Sequence, residues 1–129
     1  METMKRPIGY ALALLLILTA SVAMSSSLEV GPGDVPVPGM VTMIDIGAKK
    51  CIPCKMMAPI LDKLEVEYRG RAAIRFIDVW ENPGAGKPFG IGLIPTQIFY
   101  DASGREQYRH EGFLAEDAIR AKLAQLGVK

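Results

Sequence analysis

The stretch Cys51-Ile52-Pro53-Cys54-Lys55-Met56-Met57-Ala58-Pro59-Ile60-Leu61, entered from Met40-Val41-Thr42-Met43-Ile44-Asp45-Ile46, decides how this chain folds. The entering run is apolar nearly throughout and rich in β-branched residues, the pattern of a central strand buried on both faces. Asp45 is the one charge inside it. Ala48-Lys49-Lys50 turns the chain into a helix from about Pro53 to Tyr68. Met57, Ile60, Leu61, Leu64 and Tyr68 recur there at helical spacing, and Gly70 suits the C-terminal cap. Pro59 removes one backbone donor from that helix and is expected to kink it.

A helix that opens with Cys-x-x-Cys presents its first sulfur at the exposed N-terminal end and draws the second about one turn inside. Unpaired backbone N–H groups and the positive end of the helix dipole favour the thiolate at the first position. Such settings lower a thiol pKa from about 8.5 into roughly the 3.5–7.5 range. Lys49 and Lys50 are expected to add positive potential. Cys51 is therefore the candidate attacking and leaving thiol, and Cys54 the resolving thiol that breaks a mixed disulfide from within. Two other readings of the pair stay open. One is a structural disulfide, although so short a loop constrains the unfolded chain little. The other is half of a zinc site, for which the chain offers a single histidine, His110.

Working outward, Ala73 to Val79 reads as a second strand, and the run from Glu81 to Pro88 as a turn region with a short helical turn near Pro88 to Gly90. Thr96 to Tyr100 is a strand. Asp101-Ala102-Ser103-Gly104 is a hairpin turn, Arg105 to His110 returns antiparallel, and Gly112 breaks that strand. Ala115 to Leu126 reads as an amphipathic helix with Ala118, Ile119, Leu123 and Leu126 inward, weakly capped because Ala115 has no side-chain acceptor. Strand–helix–strand followed by hairpin–helix is an α/β arrangement, a central mixed β-sheet flanked by helices. His110, beside Glu111 on the returning strand, is expected to face solvent.

The other end of the chain speaks to compartment. Lys5 and Arg6 precede an uncharged stretch over residues 7–28, most apolar from Ile8 to Leu18 and closing on small residues at Ser21-Val22-Ala23. Residues 1–23 thus read as a signal peptide or an N-terminal membrane anchor. Either way the basic flank places the remainder of the chain outside the cytoplasm. Residues 24–39 carry three prolines and three glycines and read as an extended linker with a short edge strand near Leu28 to Val30, so the folded domain is expected over residues 40–129. The whole chain has 129 residues, a formal net charge of +1 and two cysteines. That leaves room for one domain, makes no electrostatic case for nucleic acid, and excludes both a multi-disulfide scaffold and a four-cysteine metal site within one chain.

Taken together these motifs resemble the thioredoxin family. The Cys51–Leu61 stretch is similar to the thioredoxin active site and its helix. Ile94-Pro95-Thr96 matches the loop that carries a cis-proline against the disulfide, and Asp45 falls six residues before Cys51, at the place of the buried thioredoxin aspartate. Asn82-Pro83-Gly84 and Gly112 also fall in register, and the similarity covers roughly residues 40 to 126. The resemblance implies the thioredoxin fold and a thiol–disulfide oxidoreductase whose electrons reside in the Cys51–Cys54 disulfide, with no cofactor. It implies that Asp45, its pKa raised by burial, takes the proton from Cys54 during resolution. Ile52, Pro53, Ile94, Pro95 and Trp80 become the candidate substrate-binding residues, the Ile94 backbone pairing with the substrate segment. Protein disulfides are the implied substrates and a membrane thiol electron transporter the implied donor, with the protein exported to a bacterial periplasm. It would be soluble there after cleavage, or anchored by residues 7–28, the only case that gives membrane contact.

The sequence also departs from the family. Thioredoxins typically carry Trp where this chain has Lys50 and Gly47, a buried Lys where it has Phe76, and Gly-Pro where it has Ile52-Pro53. Loss of the lysine is expected to raise the Asp45 pKa further. Trp80 has two readings, a ring that fills the space above Gly47 or a half-exposed loop residue. Reduction of substrate disulfides is the expected direction. A disulfide-forming oxidant of the same fold and a non-enzymatic metal-binding or metallochaperone module are the alternatives.

Overall fold

The apolar run after Gly39 forms the central strand β1, Thr42–Gly47, buried at every position. α1 spans Ile52–Glu67, β2 Ala73–Asp78, β3 Thr96–Tyr100, β4 Glu106–Glu111 and α2 Glu116–Gln125, with one 3-10 turn at Lys87–Phe89. The computed structural model describes residues 35–129. The expected signal peptide or anchor over residues 1–23 and the expected edge strand near Leu28 to Val30 lie outside the described residues. Among the described residues no helix is long and apolar enough to cross a membrane.

The sheet order is β2-β1-β3-β4, with β1 and β2 parallel and the other neighbours antiparallel. Period-2 alternation sorts its side chains onto two faces. Met43, Ile74 and Phe99 point to one face, where Met57, Leu61 and Leu64 of α1 and Ile119 and Leu123 of α2 close the larger core. Ile44, Ile46, Ile77, Ile98 and Tyr100 point to the other, against Val79, Ala85, Phe89 and Ile91 of the long β2–β3 connection. A strand covered on both sides has no solvated face, which is why β1 reads as a nearly continuous apolar run broken by Asp45.

Local chemistry sets the ends of the elements. α1 stops at Tyr68, whose N–H reaches the Leu64 carbonyl at 2.9 Å, and Gly70 turns the chain away at φ +80, a conformation that favours glycine. The hairpin between β3 and β4 is held by Asp101, whose Oδ1 accepts from the backbone N–H of Ser103 at 2.9 Å and of Arg105 at 3.0 Å. α2 has no side-chain cap at Ala115, but Glu116 and Asp117 in its first turn face the positive end of its dipole. Arg120 pairs with both Glu67 and Glu116 and so joins the two helices.

Two details differ from the sequence expectation. Residues 35–39 are not free linker. Val35 is buried with Ile44 and Ile46, and the Val37 N–H donates to Thr42 Oγ1 at 3.0 Å, so the packed domain includes Val35 instead of starting at Met40. Ala118 is exposed rather than inward. Ile119 and Leu123, four residues apart, define the inward line of α2, and Ala118 lies about 100° away from it. Leu126 is partly buried against the same core. Leu123 is fully buried and Val66 is 64% exposed. Leu123→Ala is expected to cost about 2–5 kcal/mol in a denaturant titration, and Val66→Ala about 0.5 kcal/mol or less.

Candidate active site

Cys51 is the N-cap of α1, in extended backbone with φ -78 and ψ 133, and its carbonyl accepts the first intrahelical bond from Lys55 N–H at 2.9 Å. Its own side chain caps nothing. Pro53, in the first turn, has no N–H to satisfy and a φ already suited to a helix, so the turn forms without losing a bond. The remaining unpaired N–H groups of that turn surround the Cys51 end of the helix. Cys51 is partly exposed, whereas Cys54 is 3% exposed. The two are joined by a disulfide with their Cα atoms 5.2 Å apart. Lys49 adds less positive potential than its position promises, because its ammonium pairs with Glu81 at 2.8 Å.

The floor of the site is β1. Met43, Asp45 and Gly47 share the face that α1 covers. A Cβ at Gly47 would lie 3.1 Å from Cys54 Sγ and 3.3 Å from Phe76 Cε2. The buried sulfur therefore rests directly on glycine backbone, and the Phe76 ring closes in from β2. This favours the half-exposed reading of Trp80 over the one that fills the space above Gly47. The space above Gly47 is taken by Cys54 and Phe76, and Trp80 is 57% exposed.

Asp45 sits two residues before Gly47 on the same face, so about 7 Å along the strand. It is fully buried. Its partner across β2 is Phe76 and its partner across β3 is Gln97. Gln97 Nε2 donates to Asp45 Oδ1 at 2.7 Å. Asp45 Oδ2 and Gln97 Oε1 have no partner among the described residues. Burial penalises the carboxylate and pushes the Asp45 pKa up to about 6, against the Gln97 hydrogen bond, which pulls it down.

Pro95 enters from β3. The register pairs Ile46 with Thr96, so its next step sets Pro95 opposite Gly47, on the Cys54 side of the sheet. Pro95 is buried and the Ile94–Pro95 peptide bond is cis. Gly112 N–H donates to the Pro95 carbonyl at 2.7 Å and Thr96 Oγ1 to the Leu93 carbonyl at 2.6 Å, which fixes the loop on both sides. Ile94 is partly buried, and Ile52 is 76% exposed beside an exposed Pro53.

The family model described as Thioredoxin matches residues 37–125. The chain belongs to the thioredoxin family. It is 40% identical over 67 residues to the thioredoxin of Staphylococcus aureus strain Mu50 / ATCC 700699, and equally to that of strain MW2. These matches take in 52% of this chain and 64% of each relative, so the chain spans a little under two thirds of the curated relatives it matches. Among solved structures, chloroplastic thioredoxin z is similar with a TM-score of 0.60 and 31% identity, over 68% of this chain and 79% of that one. Thioredoxin-family proteins use a redox-active disulfide and need no external cofactor. Among the described residues no group of three or more His, Cys, Asp or Glu side chains could hold a metal ion.

The thioredoxin-like site thus brings Cys51, Cys54, Asp45 and Pro95 together around Gly47, while Ile52, Pro53 and Ile94 form its rim and Trp80 lies exposed in the loop after β2. His110 is partly buried, not simply solvent-facing, and its Nε2 lies 3.1 Å from the Phe113 carbonyl oxygen. Three participants escaped the sequence reading. Leu93 and Phe113 are exposed apolar residues that flank the Pro95 loop. Gln97 was detectable, because alternation along Thr96–Tyr100 puts it on the same face as Phe99, and a polar residue at an inward position needs a buried partner.

A raised carboxyl pKa has a stability consequence. Below about pH 4 the Asp45 carboxyl is protonated whether the chain is folded or not. Between its ordinary 3.8 and about 6 the folded protein still holds the proton, so stability falls as pH rises through that window and stays lower above it. Asp45→Asn is expected to raise unfolding stability by about 2–3 kcal/mol at pH 7 and by close to nothing at pH 4, as read by denaturant titrations at the two pH values.

Proposed function

We propose that this thioredoxin-family protein is a thiol–disulfide oxidoreductase that reduces disulfides of proteins outside the cytoplasm. The observation that carries this reading is the asymmetry of one cysteine pair: a partly exposed sulfur at an uncapped helix N-terminus, bonded to a buried sulfur seated on Gly47 near a carboxyl of raised pKa. In the reduced protein the Cys51 thiolate attacks one sulfur of a substrate disulfide. That bond breaks, the other substrate sulfur leaves as a thiolate, and Cys51 is left in a mixed disulfide. Cys54 then attacks Cys51, forming the Cys51–Cys54 bond and expelling the second substrate sulfur as a thiolate, which takes its proton from solvent. Asp45 accepts the Cys54 proton, relayed through one water, as that attack proceeds. The substrate gains two electrons and the dithiol loses two.

The rim supports a protein substrate. Ile52 and Met56 are four residues apart on α1 and both exposed. Leu93, two residues before Pro95, and Phe113, next to the Gly112 that donates to the Pro95 carbonyl, are exposed apolar residues as well. An extended peptide laid along Ile94 would have apolar contact there and backbone partners beside the sulfurs. Trp80, exposed in the loop after β2, offers an aromatic anchor for a bound peptide. Outside the cytoplasm the oxidised disulfide needs a reductant, and a membrane thiol electron transporter is the donor this reading requires. Residues 1–23 deliver the domain there, as a cleaved leader or a retained anchor.

Insulin reduction by dithiothreitol is the direct test. Cys51→Ser is expected to abolish the acceleration, and Cys54→Ser to accumulate a mixed disulfide that mass spectrometry detects. The couple is expected to equilibrate near the roughly −270 mV of thioredoxin. A value near the about −120 mV of a strong oxidant would reverse the direction, and tight stoichiometric Zn(II) or Cu(I) binding without insulin reduction would replace the reading with a metal carrier. Residues 1–39 fused to a leaderless alkaline phosphatase are expected to give phosphatase activity in a bacterial host, and an inactive fusion would contradict export.

A further inference from the structure

A glutamine at an inward position of β3 has no packing advantage over an apolar residue, and its only polar contact among the described residues is the carboxyl of Asp45. Both side chains are 0% exposed, and the bond between them is 2.7 Å long. It occupies Oδ1 and leaves Oδ2 as the unpartnered carboxyl oxygen. A buried amide donor stabilises the ionised form of a carboxyl, and a fixed carboxyl offers one defined oxygen to an incoming proton. We propose that Gln97 is a positioning residue for disulfide resolution, which clamps Asp45 through Oδ1 so that Oδ2 receives the Cys54 proton. The proposal rests on the role given to Asp45 in resolution and deepens it.

The surroundings isolate this pair. β2 contributes the apolar Phe76, and α1 contributes Cys54 over Gly47. Asp78 lies opposite Gly47 at the end of β2. It is already engaged: burial pushes its carboxyl up, but the backbone N–H groups of Glu81, Lys49 and Trp80 hold it below the ordinary carboxylate range overall. His110 on β4 lies opposite Gln97, with Nε2 turned toward the Phe113 carbonyl. Lys49 is exposed and paired with Glu81. No ion pair reaches Asp45 among the described residues, so the amide of Gln97 is the one polar group seen to support its charge.

The test follows resolution itself. Reduced protein is mixed with excess Ellman's disulfide in a stopped-flow cell, and release of the second thionitrobenzoate reports Cys54 attack on the Cys51 mixed disulfide. Gln97→Met keeps the volume and removes the donor. It is expected to move the acid limb of the pH profile upward by about one unit, slowing resolution about fivefold at pH 6 and hardly at pH 8. The same substitution in an Asp45→Asn background is expected to shift nothing, and His110→Gln alone is expected to leave the limb in place. An unshifted limb in Gln97→Met, or an equal loss in both backgrounds, would overturn the proposal while leaving the role of Asp45 intact. An Asp45→Asn profile identical to wild type would overturn both. In the unmodified protein, the Gln97 side-chain amide resonances are expected to titrate with the same midpoint as the Asp45 carboxyl carbon. Insensitivity of the amide to pH would count against the clamp even if the variant failed to fold.

Discussion

The sulfur of Cys54 rests on the backbone of Gly47, and the rest of the site is arranged around that contact. With a projected Cβ only 3.1 Å from the sulfur, any side chain at position 47 would have to displace the sulfur or the Phe76 ring. The contact fixes how deeply the first turn of α1 enters the protein. Met57, Leu61 and Leu64 continue the same inward line along the helix, so the core that stabilises the domain also sets the depth of the buried thiol. Cys51, three residues earlier, is carried to the rim by helix geometry. One helix docked on one strand thus makes two chemically different sulfurs out of two identical residues.

The same strand carries a group that works against stability. A carboxyl buried between Met43 and Gly47 is held near neutrality at a cost the fold must absorb. The lysine expected in this family is replaced by Phe76, and the compensation comes from the opposite neighbour, where Gln97 donates to Oδ1. The protein thereby exchanges a cation on β2 for a neutral donor on β3. A neutral donor offsets less of the desolvation than a cation, which leaves the carboxyl with a pKa of about 6, able to change protonation during a reaction near neutral pH.

Much of this was legible in the chain. The nearly continuous apolar character of Met40–Ile46, the helical spacing from Met57 to Tyr68 and the Asp101–Gly104 turn gave the elements to within a residue or two, because each pattern reports burial that the final packing preserves. Cys51, Cys54, Asp45 and Pro95 were likewise visible as motifs at fixed separations. Contacts made by residues far apart in sequence were not. Gln97 and Asp45 are 52 residues apart and meet only once the β1–β3 register is known. The volume above Gly47 looked available to Trp80 because the sequence shows which side chain is missing but not which neighbour moves in. The side of Ala118 is not legible in sequence because an alanine satisfies either side of a helix, and the burial of Val35 is masked by a proline- and glycine-rich context that reads as linker.

The mechanism needs two thiols of unequal reactivity, and the most direct measurement is the rate of alkylation of each in the reduced protein at pH 7, resolved by mass spectrometry of the two cysteines. Cys51 is expected to react at least about tenfold faster than Cys54, since one sulfur stands at an open helix end and the other is covered. Equal, slow alkylation of both would contradict it.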